Sequence, residues 1–280
     1  MESDHLSDEV APGTQLESLD DIRRYLGENY TPTTEEQIDP PTGAVGGSGT
    51  IPYHPINRPP QAIVIFNDDN SSSGEIVRLR TTPFQIGREA GDFTIPHDPA
   101  ISKLHAEITR KNVDGEFRWY VRDLGSTNGL FVKVSSAWLR PQTQIMVGRT
   151  KLTYHAPEVS SAPSNANVDA GTQQWDAVNH DLQAKYPTLR SSSDSEHEFT
   201  FTLTNKLLTL GSNDQACDFV VTNDPFVSSS HAQMELDKNK QWVIKSHNNI
   251  NGLWVKVKTV RVYDTGSFQI GEQRFSIKVD

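Results

Sequence analysis

The 280-residue chain has one cysteine, three methionines and a hydrophobic share of only 35 %. A lone cysteine, Cys217, excludes an intramolecular disulfide framework and any multi-cysteine zinc site. No apolar run approaches the ~20 residues that span a bilayer, so membrane insertion is not expected. The opening residues, Met1 to His5, lack the basic end and apolar stretch of a secretory signal. Basic side chains are outnumbered 26 to 36, for a net charge of −10. That balance argues against nucleic acid as a partner, because neutralising phosphates needs a basic footprint. These absences predict a soluble cytoplasmic protein. The low apolar share further predicts that part of the chain is tail or linker.

The charge is unevenly placed. Residues 1–60 hold 11 acidic and 3 basic side chains and no lysine, a net of −8. Residues 61–156 hold 10 acidic and 12 basic, a net of +2. The first segment is also rich in proline and glycine, with Pro40-Pro41, Gly46-Gly47-Ser48-Gly49 and Pro59-Pro60. Such a stretch buries too little apolar surface to offset the entropy of ordering, so a disordered acidic tail is expected over 1–60. Within it, Leu16, Leu19, Ile22 and Leu26 recur at spacings of three, three and four, which predicts a short amphipathic helix.

An internal repeat organises the rest. Trp119-Tyr120-Val121-Arg122 leads to Asn128-Gly129-Leu130-Phe131-Val132-Lys133-Val134. Trp242-Val243-Ile244-Lys245 leads to Asn251-Gly252-Leu253-Trp254-Val255-Lys256-Val257, offset by 123 throughout. Upstream, Asp98-Pro99, Ser102 and His105 match Asp224-Pro225, Ser228 and His231 at an offset of 126. The chain is therefore divided into a tail (1–60), one module (61–156), a linker (157–181) and a second module (182–280).

Both modules read as β structure. Ala62 to Phe66 is a β-branched apolar run, and Phe199, Phe201 and Leu203 alternate. Short strands separated by Asp-Gly and Asn-Gly turns, without long helical patterns, predict all-β sandwiches. The second module's first strand is expected near Tyr186 to Arg190, on a sheet edge because of Pro187. A short helix is expected near residues 173–185.

Three loop segments of the first module carry chemistry: Gly87-Arg88, then Ser102-Lys103-Leu104-His105, then Ser126-Thr127-Asn128-Gly129. Together they supply a guanidinium, an ammonium, hydroxyls and a carboxamide. Arginine binds phosphate through paired charge-assisted hydrogen bonds, and lysine adds a mobile point charge. Hydroxyls donate to phosphate oxygens, and a carboxamide can both donate to and accept from a peptide backbone. The set suits a tetrahedral oxyanion carried on an extended peptide.

Gly-Arg, Ser-x-x-His and Ser-Thr-Asn-Gly in this order and spacing resemble the forkhead-associated (FHA) domain. The resemblance covers residues 61–156 and, more weakly, 182–280. It implies two eleven-stranded β-sandwiches in tandem that bind phosphothreonine peptides through loops at one end. It further implies that Arg88, Ser102, Lys103 and Thr127 hold the phosphate and Asn128 the peptide main chain. Gly87, His105 and Gly129 would shape the loops. No cofactor, metal or catalytic residue is implied. On paper Ser102, His105 and Asp123 could form a hydrolytic triad, but no Gly-x-Ser-x-Gly elbow accompanies them.

The second module departs from the pattern. Ser212 stands where the first has Arg88, Ser229 where it has Lys103 and Ile250 where it has Thr127. This module is expected to keep the fold and lose phosphothreonine binding. The expected function is a phosphothreonine-dependent adaptor in serine/threonine kinase signalling. The alternative is a phosphate-independent scaffold using both modules as protein surfaces. The partner is a threonine-phosphorylated protein, or the chain's own tail at Thr31, Thr33 or Thr34.

Overall fold

The structure is a computed structural model. It describes residues 61–67, 74–157, 185–191, 198–247 and 249–279, with the backbone of Gln15 and Leu16. The acidic tail, its threonines and most of the linker and its expected helix lie outside the described residues. Of the helix expected over Leu16–Leu26, only the first residue is described, and it is extended. Gln15–Leu16 (β1) pairs antiparallel with Ser136 and Val134.

The first copy contributes β2 (Ala62–Asn67), β3 (Glu75–Leu79), β4 (Phe84–Gly87), β5 (Phe93–Thr94), β6 (Ala106–Val113), β7 (Glu116–Asp123), β8 (Leu130–Leu139), β9 (Gln144–Val147) and β10 (Thr150–His155). The second contributes β11 (Thr188–Ser191), β12 (Thr200–Thr202), β13 (Leu207–Gly211), β14 (Phe219–Val220), β15 (Ala232–Leu236) and β16 (Trp242–Ser246). It continues with β17 (Leu253–Val257), β18 (Thr259–Val262), β19 (Thr265–Ile270) and β20 (Gln273–Val279). The described chain is thus nearly all β, as the alternating apolar pattern predicts. The β6–β7 hairpin turns on Asp114-Gly115, both at positive φ (54° and 86°). That is the backbone a tight two-residue hairpin demands and Asp-Gly supplies.

The two sandwiches do not follow the two sequence copies. In the first, β7 takes β18 of the second copy as its edge partner, with Trp119 opposite Val262 and Arg122 opposite Thr259. β2 pairs along its length with β20, from Ala62–Val279 to Asn67–Arg274. Reciprocally, β16 takes Ser136–Leu139 of β8, and β10 pairs with β11. So the repeats bounded at 61–156 and 182–280 each send their last strands into the other's sandwich.

The crossing lies at β8 and β17. Leu130–Val134 runs antiparallel to Leu253–Val257, with Val132 opposite Val255. These two valines are equivalent positions of the repeat, so the crossing has an approximate two-fold axis through them. One cause is visible in the sequence. Between Val134 and Ser136, and between Val257 and Thr259, stand only Ser135 and Lys258. Neither link holds the glycine, asparagine or proline that a tight reversal needs, so each strand runs on across the axis. The crossing fuses one sheet of each sandwich into a continuous sheet, ordered β12-β11-β10-β9-β17-β8-β19-β20-β2-β3. β11 is interior in that sheet, and Pro187 lies just before it. The expectation of an edge strand is corrected: a proline ahead of the first ladder residue removes no ladder hydrogen bond.

Core packing follows the same exchange. Phe66 and Phe93 of the first copy stack at 3.8 Å, and Phe66 meets Phe275 of the second edge-on at 5.2 Å. Phe275 in turn stacks on Phe268 at 4.9 Å. A small cavity in this core is lined by Val121 and Val132 from one copy and by Val260, Val262, Phe268 and Ile277 from the other. Two aspartate loops lock the exchange at the rim. Asp224 accepts from Arg149 N, Thr150 N and Thr150 Oγ1, at 2.7–2.9 Å. Its repeat counterpart Asp98, 3 % exposed, accepts from Glu272 N at 2.7 Å.

Candidate functional site

The three predicted loop segments meet at one end of the first sandwich. β4 ends at Gly87, where the chain passes under the following loop. A Cβ there would stand 2.5 Å from the Ala90 carbonyl oxygen and closer still to that of Lys103, so only glycine fits. This close approach lets Arg88 N donate to Ser102 O at 2.9 Å and Ala90 N to Lys103 O at 3.0 Å. The Arg88 and Ser102-Lys103 segments are thereby stitched together through their backbones.

The third segment is tied in through Ser102 and Asn128. Thr127 N donates to Ser102 Oγ at 3.1 Å, and Asn128 Nδ2 donates to Ala100 O at 2.8 Å. The Thr127 side chain is exposed and that of Asn128 half-buried. Asn128 still has its carbonyl oxygen and a second N–H for a peptide backbone. Asp123 accepts from Gly125 N and Ser126 N, shaping the turn, and the Ser126 hydroxyl bonds Asp123 while accepting from Gly129 N. Ser126 is thus occupied in building the loop.

His105 is the buried post behind these segments. The Ser102 backbone N–H donates to its Nδ1 at 3.0 Å, which requires the hydrogen to sit on Nε2. Nε2 then donates to the Gly129 carbonyl at 3.1 Å. Burial pushes its pKa below the ordinary histidine value, ahead of the upward pull of the Gly129 carbonyl and Asp123. The histidine meets Ser102 through the backbone, while the Ser102 hydroxyl accepts from Thr127 N. The bonds of a Ser-His-Asp relay are therefore replaced by loop-building ones. Among the described residues no group of three His, Cys, Asp or Glu is placed to hold a metal.

Electrostatically, the site is a pair of cations with an anion between them. Arg88 contacts Glu89 Oε1 at 2.9 Å, and Lys103 Nζ lies 3.8 Å from Glu89 Oε2. Arg88 Nε is buried and has no hydrogen-bond partner among the described residues. Glu89 was not singled out by sequence reasoning. Its adjacency to the Gly-Arg pair was the only signal, and the carboxylate's reach to Lys103 depends on the backbone stitching.

The second copy builds the same scaffold. Ser228 N donates to His231 Nδ1 at 3.1 Å, and His231 Nε2 donates to Gly252 O at 2.9 Å. Asn251 Nδ2 donates to Phe226 O at 2.8 Å. Asn249 replaces Ser126 in the loop, accepting from Gly252 N and donating to His231 O and Ser246 Oγ. The ligand positions differ: Ser212 and Ser229 bring no charge, and Ile250 is 78 % exposed. Cys217 is half-buried, and its thiol donates to Ser229 O at 3.0 Å.

A double β-sandwich whose loops converge on glycine, arginine, serine, histidine and asparagine defines a protein-interaction module. The FHA domain family matches residues 84–148 and 208–271, and the chain is a tandem FHA-domain protein. FHA domains bind phosphothreonine peptides and act as protein-interaction modules. No curated protein matches the sequence. Among solved structures, full-length yeast Pml1p is similar at 17 % identity, covering 51 % of this chain and 83 % of that one, with a TM-score of 0.23. Mycobacterium tuberculosis Rv1747 FHA-1 is similar at 20 % identity, covering 34 % of this chain and 97 % of that one, with a TM-score of 0.18. No helix among the described residues is long and apolar enough to cross a membrane.

Proposed function

We propose that this protein is a cytoplasmic phosphothreonine-dependent adaptor in serine/threonine kinase signalling, and that its first site reads the phosphopeptide. The observation that carries this reading is the convergence of Arg88 and Lys103 on the single carboxylate of Glu89. An anionic group already sits between the two cations, and a phosphate offers more charge and more acceptor oxygens. Ser102 and Thr127 contribute hydroxyls, and Asn128 holds the peptide main chain. Gly87, His105 and Gly129 shape the loops. The second site, without either cation, does not bind phosphothreonine.

The partner is a threonine-phosphorylated protein. The chain's own Thr31, Thr33 and Thr34 are a second source, favoured by β1. Leu16 is anchored on β8, the strand that begins just after Gly129. Fifteen extended residues reach roughly 50 Å, and tethering sets an effective concentration near the millimolar range.

The test is a phosphothreonine peptide library titrated against the full-length protein and its Arg88→Ala variant. Loss of a charge-assisted arginine pair, at about 1.5–3 kcal/mol per bond, should weaken binding about 100-fold or more. Partner capture unaffected by Arg88→Ala would establish the phosphate-independent scaffold instead.

A further inference from the structure

The strand exchange brings a side chain of the second copy to the first copy's binding loop. Lys256 lies on β17, opposite Phe131 of β8. Two residues before Phe131 stands Gly129, which follows Asn128 directly. The Lys256 side chain lies across the open face of Gly129. A Cβ at Gly129 would stand 3.0 Å from Lys256 Cδ and 2.9 Å from its Nζ, and nearer still to Cε. Gly129 has a φ of +84°, so the loop turns there with its Cα bare, and the lysine stem fills the space. Lys256 is half-buried, and its positive charge is felt by His105 behind the loop. The relation is reciprocal, since Lys133 of the first copy lies against Gly252 of the second. Neither contact could arise if each copy folded on its own strands, because both lysines cross on the exchanged pair.

Resting on the phosphopeptide reading above, we propose that Lys256 is a third cation of the first site and takes an anionic group flanking the phosphothreonine. Asn128 is the residue assigned to the peptide main chain, and the ammonium stands beside its successor. A peptide held there therefore runs past a positive charge that Arg88 and Lys103 do not supply. An acidic side chain or a second phosphate offers the same chemistry, and the peptides below tell them apart. The second copy, whose own loops lack counterparts of Arg88 and Lys103, would then contribute directly to recognition by the first.

The experiment measures anisotropy of labelled peptides with the full-length protein. Three phosphothreonine peptides are compared, flanked by alanines, by glutamates or by a phosphoserine. The variants are Lys256→Met, which keeps the stem over Gly129 without the charge, and Lys256→Arg, which restores the charge. Wild type should prefer one or both anionic flanks by about two- to fivefold, the scale of one partly screened ion pair. Lys256→Met should abolish that preference and lower the alanine-flanked affinity far less than Arg88→Ala does. Lys256→Arg should recover it. Retention of the preference in Lys256→Met, or an equal loss for all three peptides, would overturn the assignment while leaving the phosphopeptide reading intact. Absence of any phosphopeptide binding that Arg88→Ala removes would overturn that reading, and the Lys256 assignment with it.

Discussion

Phe275 offers a direct test of the exchanged architecture. It belongs to the second sequence copy, yet its ring is 1 % exposed between Phe66 and Phe268 in the sandwich that carries Arg88. Phe275→Ala removes the edge-on contact to Phe66 and the stack on Phe268. Truncating a buried phenylalanine costs about 3–5 kcal/mol, and 1.4 kcal/mol is a tenfold change. Opening of the first sandwich should therefore become about a hundredfold or more frequent. Hydrogen exchange followed by mass spectrometry reads this segment by segment. Amides of β2, β4 and β6 should lose protection, although they lie in the other copy. Amides of β13 and β15, which share Phe275's copy but not its sandwich, should keep theirs. The mirror variant is Leu152→Ala, at the equivalent buried position of the first copy. It should loosen β11 to β16 and spare β4. If each variant instead weakens the strands of its own copy, the exchange described here is wrong.

Two further outcomes follow from the same geometry. Cleavage at a protease site inserted within residues 158–184 should leave the two fragments as one stable 1:1 complex on size exclusion, because each sandwich contains strands of both; separate elution would contradict this. Burial lowers the pKa of both His105 and His231, so the unfolded chain takes up protons near the ordinary histidine value of about 6.5 before the folded one does. Stability should be fully present above that pH and decline as pH falls below it, read as the urea midpoint between pH 7.5 and 5.5. A flat profile would argue against two neutral buried histidines.

The loops of the site were legible because their chemistry is local. Gly87-Arg88, Ser102 to His105 and Thr127-Asn128-Gly129 each sit on a turn that their own sequence builds, and the structure brings all three together. The replacements in the second copy were legible for the same reason, at Ser212, Ser229 and Ile250. The partners of the last strands were not. Ser136–Leu139 and Thr259–Val262 occupy the same repeat position and carry similar alternation, so either can complete either sandwich on pattern alone. The available signal was a missing one: no turn former stands at Ser135 or Lys258. Lys256 and Glu89 escaped notice because each acts across elements that the sequence does not juxtapose. Asp98 and Asp224 were visible in the repeat, but their acceptors' role depends on backbone N–H groups of the opposite copy.

The ladder between β2 and β20 has a consequence for how the protein meets its surroundings. Ala62 lies directly opposite Val279, so the first strand of the first copy starts beside the end of the last strand of the second. Gln61 and Val279 therefore stand side by side at one end of that ladder. A tag or partner domain attached at either point is held near the other. Tension applied between the two points would peel that ladder open one residue pair at a time.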